Sequence, residues 1–186
     1  FQGNVDVTLI ARGDHLAAIQ DRGLLYKTPE QSVHVPIPAV SHPREINFRG
    51  DEVVILTMKT QHTEAALEDL RLAAGDEVPL FCCQNGVANE RMALRRFQNV
   101  HAMMVYLPAI LLDPGTVLAH AARKSGVLDA SIYPTGSNDL VAEVTASLNS
   151  VNFSARPNPT VMRFKYGKLI MNLGNALAAV SPPGDE

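Results

Sequence analysis

A chain of 186 residues with 46% apolar residues, 12 glycines, 12 prolines and no tryptophan has the composition of a globular protein rather than a disordered or fibrous one. At this length it forms one domain or a domain and a half and buries roughly 70% of the surface its unfolded form exposes. The formal net charge of −3, with lysines and arginines spread along the chain, gives no electrostatic footprint for nucleic acid. No apolar run approaches the roughly 20 residues that cross a bilayer, so no membrane partner is expected.

The start Phe1-Gln2-Gly3-Asn4 lacks the basic and apolar regions of a secretory signal, and the expected location is cytoplasmic. Cys82 and Cys83 are neighbours at the end of an apolar run, where strand side chains point to opposite faces; they read as small buried residues, not a disulfide. The histidines are scattered without an i, i+4 pair, and no metal site is expected. His34 and His42 flank a Pro-rich loop and are expected in solvent.

Val5 to Ala11 is β-branched and apolar, the composition of a buried strand, and it ends in Arg12-Gly13. Asp14 is positioned to cap a helix to Arg22, which Gly23 stops. Pro29, Pro36, Pro38 and Pro43 punctuate residues 26–50, an edge strand and loop. Val53 to Met58 forms a strand, and Ala66, Leu67 and Leu70 give helical spacing over Thr63 to Leu72. Val78 to Cys83 makes the next strand, followed by the Asn85-Gly86 turn, a helix from Asn89 to Phe97 and a strand from Val100 to Leu107.

Strands alternating with helices of this length call for an α/β fold with a Rossmann-like, doubly wound parallel sheet. After Asp113-Pro114-Gly115, Thr116 to Ala121 and Val127 to Tyr133 read as a hairpin-like addition. A helix from Asn138 to Leu148 and a short strand from Asn152 to Ala155 lead to Arg156-Pro157-Asn158-Pro159, a linker by its prolines. Beyond it, Thr160 to Val180 is one helix, broken by Ser181-Pro182-Pro183-Gly184. One helix cannot bury its apolar face alone. The chain therefore divides into 1–156, a dinucleotide-binding domain, and 157–186, the first helix of a second, all-helical domain expected to be incomplete at its C-terminal side.

In an open parallel sheet, ligands sit beyond the carboxyl ends of the strands, so polar residues there are the first candidates. Arg12 follows the first strand, where an arginine suits the 2′-phosphate of NADP; the alternative is a solvated arginine before a turn. Lys59 follows the next, within reach of a phosphate, a ribose hydroxyl or a substrate carboxylate, although strand ends are also simply wet. Asn85-Gly86 is a common turn dipeptide, here joining a buried strand to a helix where the nicotinamide end of a cofactor lies. Glu90 is read as favouring the helix start through its dipole. Lys168 and Asn172 share a helix face, with Asn175 further along it. Polar groups on an inward face need a partner, which a bound substrate supplies; helix-helix asparagines and a surface lysine are the alternative.

These residues carry a resemblance. Val7-Thr8-Leu9-Ile10-Ala11-Arg12-Gly13, Thr57-Met58-Lys59, Gln84-Asn85-Gly86-Val87-Ala88-Asn89-Glu90 and Lys168 followed by Asn172 and Asn175-Ala176-Leu177 match, in order, the pattern of the ketopantoate reductase (2-dehydropantoate 2-reductase) family. The sequence resembles that family over nearly its whole length. It departs in lacking the opening strand and GxGxxG turn, so the first domain is expected to be incomplete at its N-terminal side. The family's substrate-site serine and glutamate have no counterpart before position 186, and Asn175 follows Asn172 at three residues rather than the usual four.

The resemblance implies reduction of a 2-oxo acid, 2-dehydropantoate first, to the 2-hydroxy acid with NADP(H) as cofactor. By analogy Arg12 recognises the NADP phosphate, Lys59 and Asn85 position cofactor and substrate, Asn172 and Asn175 hold the substrate, and Lys168 is the general acid. A homodimer through the helical domain is an assembly the resemblance allows. Two other readings stand beside it: a reductase of a different 2-oxo acid, and a non-catalytic NADP-binding protein. Without the phosphate-cradling turn, the chain by itself is expected to bind cofactor poorly and to be inactive.

Overall fold

A computed structural model describes residues 5–111, 113–120 and 124–180, the stretch 175–180 by its backbone alone. The chain opens with β1 (Leu9–Ile10) and α1 (Gly13–Arg22). Arg12, in extended conformation, is the N-cap of α1, and Asp14 lies inside the first turn, where its charge opposes the helix dipole without a capping bond. Next come β2 (Leu24–Lys27), β3 (Ser32–Val35), β4 (Ala39–Val40) and β5 (Val54–Leu56). A 3₁₀ turn, Thr60–His62, then leads into α2 (Thr63–Ala74), and β6 (Leu80–Cys82), α3 (Asn89–Leu94) and β7 (Val100–Met103) complete the central run. The remainder is β8 (Ala109–Ile110), β9 (Thr116–Ala119), β10 (Ala130–Ile132), α4 (Asp139–Ser150) and α5 (Val161–Val180). The Asn138 side chain accepts from the Val141 amide at 3.0 Å, fixing the start of α4.

β5, β6 and β7 are parallel neighbours, and β10 adds an antiparallel edge. Alternation along β6 decides the layers. Leu80 and Cys82 face a core built with Leu67 and Leu70 of α2 and Ala93 of α3, whereas Phe81 faces Met103, Ala130 and Val141 of α4. Helices therefore cover both faces, as the expected doubly wound architecture requires. His101 stacks on Phe81 with ring centroids 4.3 Å apart, and burial lowers its pKa.

Four expectations change. In place of one edge strand within residues 26–50, β2 starts already at Leu24 and forms a paired hairpin with β3. Among the described residues, 116–120 and 127–133 form no hairpin with one another, because β9 pairs in parallel with β2 while β10 pairs with β7; residue 121 of the expected strand lies outside the described residues. Gly115 explains the separation: its φ is +74°, and a Cβ there would lie 2.7 Å from that of Ala18, so the turn rests on α1 and sends Thr116 alongside Leu25.

The Arg156–Pro159 segment is not a loose connector. Ala130 donates to the Arg156 carbonyl at 3.1 Å and receives from the Asn158 amide at 2.8 Å, while the Asp129 carboxylate accepts from Arg156 Nε at 3.2 Å. The prolines remove donors but leave carbonyls and the intervening Asn158 amide free to pair. Residues 152–155 likewise contribute a single bridge, Ser154 with Val127, in place of a full strand.

Leu67, fully buried between α2 and the sheet, and Leu72, 74% exposed on the same helix, separate packing from propensity. Leu67→Ala is expected to lower the unfolding free energy by about 2–5 kcal/mol, and Leu72→Ala by under about 0.5 kcal/mol, in urea denaturation.

Candidate active site

The carboxyl ends of β5 and β6 lie side by side, and a buried polar network shapes the turn beyond them. Gln84 Nε2 donates to the Met58 carbonyl at 2.7 Å and to Thr63 Oγ1 at 2.8 Å. The Thr63 hydroxyl donates to Asn89 Oδ1 at 3.1 Å, and Asn89 Nδ2 donates to the Asn85 carbonyl at 3.1 Å. Gln84, Thr63 and Asn89 are all buried, so each bond replaces water that the site excludes. Gly86 has a φ of +86° with open space where a Cβ would be, so backbone conformation rather than crowding calls for glycine.

Helix α5 meets this turn with a stripe of polar residues at i, i+3 and i+7. Val161 and Met162 first pack on Ala102 and Met104 at the end of β7. Lys165, 4% exposed, then donates to the carbonyls of Gln84 at 3.0 Å and Cys82 at 3.4 Å. Its ammonium lies 2.5 Å from Glu90 Oε1, and Glu90 is fully buried. This is an ion-pair contact away from ideal hydrogen-bond geometry, and Glu90 Oε2 has no hydrogen-bond partner among the described residues. Glu90 is therefore the counter-charge of a buried lysine, a role beyond the dipole contact expected of it.

One turn on, the Lys168 ammonium donates to Asn85 Oδ1 at 2.8 Å and to the Val105 carbonyl, and it stands 4.8 Å over the Tyr106 ring. Burial, followed by the neighbouring Lys165 charge, lowers its pKa below the ordinary lysine range. Asn172 lines the same concavity with Gly86, Met104 and Leu169. Burial pushes the Cys83 thiol up to about 11, away from the thiolate form.

Of the residues singled out in the sequence, Asn85, Lys168 and Asn172 come together in this concavity. Lys59 is exposed beyond β5, at the same end of the sheet but outside the concavity. Arg12, exposed at the end of β1, donates to Asp69 Oδ2 at 3.2 Å; His42 Nε2 lies 3.5 Å from the same oxygen. His42 is thus half-buried, its Nδ1 accepting from the Arg44 amide at 3.2 Å, whereas His34 is exposed as expected. The Asn175 side chain lies outside the described residues.

Lys165 and its pairing with Glu90 escaped the sequence reading, in which Glu90 figured only at a helix start, although the i, i+3 spacing of the two lysines on a face that also holds Met162 and Leu169 was the available signal. The Val105 carbonyl carries no signal at all. Together, Arg12 and Lys59 as cations and Gly86 as an unobstructed backbone, each just past a strand end, suit the phosphates and riboses of a dinucleotide. An ammonium of lowered pKa beside an amide is able to hold an oxyanion and protonate it.

A sequence model described as ketopantoate reductase PanE/ApbA matches residues 1–130. The chain is 29% identical over 179 residues to the 2-dehydropantoate 2-reductase of Pyrococcus horikoshii, covering 96% of this chain and 55% of that protein. It is 28% identical over 133 residues to the 2-dehydropantoate 2-reductase of Mesorhizobium japonicum, covering 71% and 38%. The chain spans about half the length of the curated relatives it matches. Among solved structures, a PanE/ApbA family ketopantoate reductase from Ralstonia eutropha JMP134 superposes with a TM-score of 0.77 at 26% identity, covering 91% of this chain and 54% of that one. D-mandelate dehydrogenase with NADH and anilino(oxo)acetate shares the fold, with a TM-score of 0.71 at 20% identity over 84% of this chain and 50% of that one.

Removing one member of the buried pair leaves the other charge without compensation. Lys165→Met is expected to lower stability by about 3–5 kcal/mol, measured as a drop in urea midpoint.

Proposed function

Because this chain belongs to the ketopantoate reductase family, we propose that it carries the proton donor and the cofactor-facing sheet of a reductase that converts 2-dehydropantoate to pantoate with NADPH. The observation that supports this most directly is the meeting of Lys168, Asn85 and Asn172 at the carboxyl end of the parallel sheet. In this reading residues 1–156 form the NADP-binding domain and 157–186 begin the helical domain. The apolar residues Phe164, Ile170 and Met171 of α5, 52%, 69% and 68% exposed, give the helix a face on which such a domain packs.

When bound, the nicotinamide supplies a hydride to the ketone carbon of the substrate. Lys168 then stabilises the negative charge that develops on the carbonyl oxygen and passes its proton to it. Asn85 and Val105 orient the ammonium beforehand by accepting two of its hydrogens. Asn172, one turn beyond Lys168, binds the substrate's hydroxyl or carboxylate, with Asn175 proposed as its neighbour in that role. Arg12 exchanges Asp69 for the 2′-phosphate of the cofactor, and Lys59 serves the cofactor's phosphates or ribose. The lowered pKa of Lys168, caused first by burial and then by the Lys165 charge, narrows the gap to neutral pH and so favours proton transfer.

Lys168→Ala in the intact enzyme is expected to reduce kcat by roughly a hundredfold to ten-thousandfold with little change in NADPH affinity, read by NADPH oxidation and fluorescence titration. Since the donor must be protonated, kcat of the unaltered enzyme should fall as pH rises through a limb below the ordinary lysine range, and this limb should vanish in the variant. Arg12→Ala should weaken NADPH binding roughly tenfold or more while leaving NADH nearly unaffected; equal losses would remove the phosphate-reading role. Across a panel of 2-oxo acids, the highest kcat/KM is expected for 2-dehydropantoate, and a higher value for another acid would reassign the substrate.

A further inference from the structure

Only the outer of the two lysines on the α5 stripe has a part in the chemistry proposed above. The inner one, Lys165, meets three oxygens: Glu90 Oε1 at 2.5 Å, the Gln84 carbonyl at 3.0 Å and the Cys82 carbonyl at 3.4 Å. Those carbonyls bracket Cys83 and stand immediately before Asn85, whose side chain receives the Lys168 ammonium at 2.8 Å. Exposure of the paired side chains is 3% for Lys165 and 0% for Glu90. A buried ion pair seldom stabilises a fold more than well-packed apolar residues of the same volume, because desolvating the two charges offsets their attraction. Directionality is what the pair adds.

The apolar contacts that also seat α5, Val161 and Met162 on Ala102 and Met104 with Val87 of the turn and Tyr133 beside them, lie one turn earlier and are non-directional, so they constrain rotation at the level of Lys168 less than bonds to fixed carbonyls do. We propose that Lys165 and Glu90 form a positioning pair that fixes the register of α5 against the turn between β6 and α3, so that Asn85 and Lys168 meet. This rests on Lys168 being the proton donor of the reaction. Neither Lys165 nor Glu90 touches the substrate; both act through the position of their neighbours.

The arrangement also sets the field at Lys168. The groups facing it are Lys165 from its own helix, Cys83 and Asn85 from the end of β6, and Tyr106 from the segment after β7, with Glu90 of α3 behind Lys165. After burial, Lys165 lowers the Lys168 pKa, Cys83 raises it, and Tyr106 presents a ring face. Removing both members of the pair takes away the nearest positive charge and lets Lys168 titrate at higher pH.

The intact enzyme carrying Lys165→Met together with Glu90→Met has neither charge left unpaired. It is expected to unfold at a urea midpoint above that of Lys165→Met alone, short of the unaltered enzyme by the lost bonds to the Cys82 and Gln84 carbonyls, with kcat reduced roughly tenfold to hundredfold and KM for the oxo acid raised. The high-pH limb of kcat and the 13C titration of the Lys168 side chain should both move up. A folded double variant with unaltered kcat and an unmoved Lys168 titration would overturn the proposal.

If the double variant does not fold, Glu90→Gln decides the question. The Lys168 titration and the Asn85 side-chain amide signal should both shift, and two unmoved signals would overturn the proposal equally. Lys168→Met in the otherwise unaltered enzyme separates the two ideas: full turnover there removes Lys168 as proton donor, while the Asn85 signal still reports whether Lys165 and Glu90 hold the turn.

Discussion

A single ammonium buried at the end of β6 organises the polar half of this molecule. Lys165 supplies donors to the carbonyls of Cys82 and Gln84 where β6 leaves its sheet, and Glu90 balances its charge. Around that point the Gln84 amide nitrogen and the Thr63 and Asn89 side chains extend a network over β5, β6, α2 and α3, in which Gln84 Oε1 has no hydrogen-bond partner among the described residues. A network of this kind is strong only when every member is placed, because an unpaired polar group in a site of low dielectric is costly. The turn that carries Asn85 and Gly86 is thereby held from below while its upper surface stays open.

The sheet supplies the platform for that arrangement. Alternate residues of β6 serve two different cores, Leu80 and Cys82 on one face and Phe81 on the other, so helices are required on both sides and the strand ends become the place where backbone polarity is unsatisfied. Cations and amides gather there for the same reason that ligands do. Lys59 marks the end of β5 and the stripe of α5 closes over the end of β6, while Arg12 marks the end of β1 in its own two-stranded pairing with β4. The pinned Arg156–Pro159 segment transmits this order: by pairing with Ala130 and Asp129 it delivers α5 to the end of β7 rather than leaving it on a tether.

Much of the site was legible because local rules suffice for it. Continuous apolar runs ending in Lys59 and Asn85 declare strand ends, and Lys168 with Asn172 declare a shared helix face, whatever the rest of the chain does. Glu90 was legible only as an acidic residue at a helix start, since nothing near it in the chain indicates that a lysine 75 residues later will be buried against it. Arg156-Pro157-Asn158-Pro159 misled for the opposite reason: proline content reports the loss of donors but says nothing about carbonyls finding partners across a sheet.

What the amino-acid order determined by itself was the alternation of strands and helices, the polar residues at the strand ends and the stripe on α5, because periodicity and turn chemistry act over a few residues. Tertiary structure alone decided that β9 leaves for β2 while β10 stays with β7, that Lys165 lies inside while Lys168 reaches Asn85, and that Glu90 carries a counter-charge. Those outcomes depend on steric contacts such as Gly115 on Ala18 and on the balance of desolvation against pairing, which exist only once distant segments are brought together.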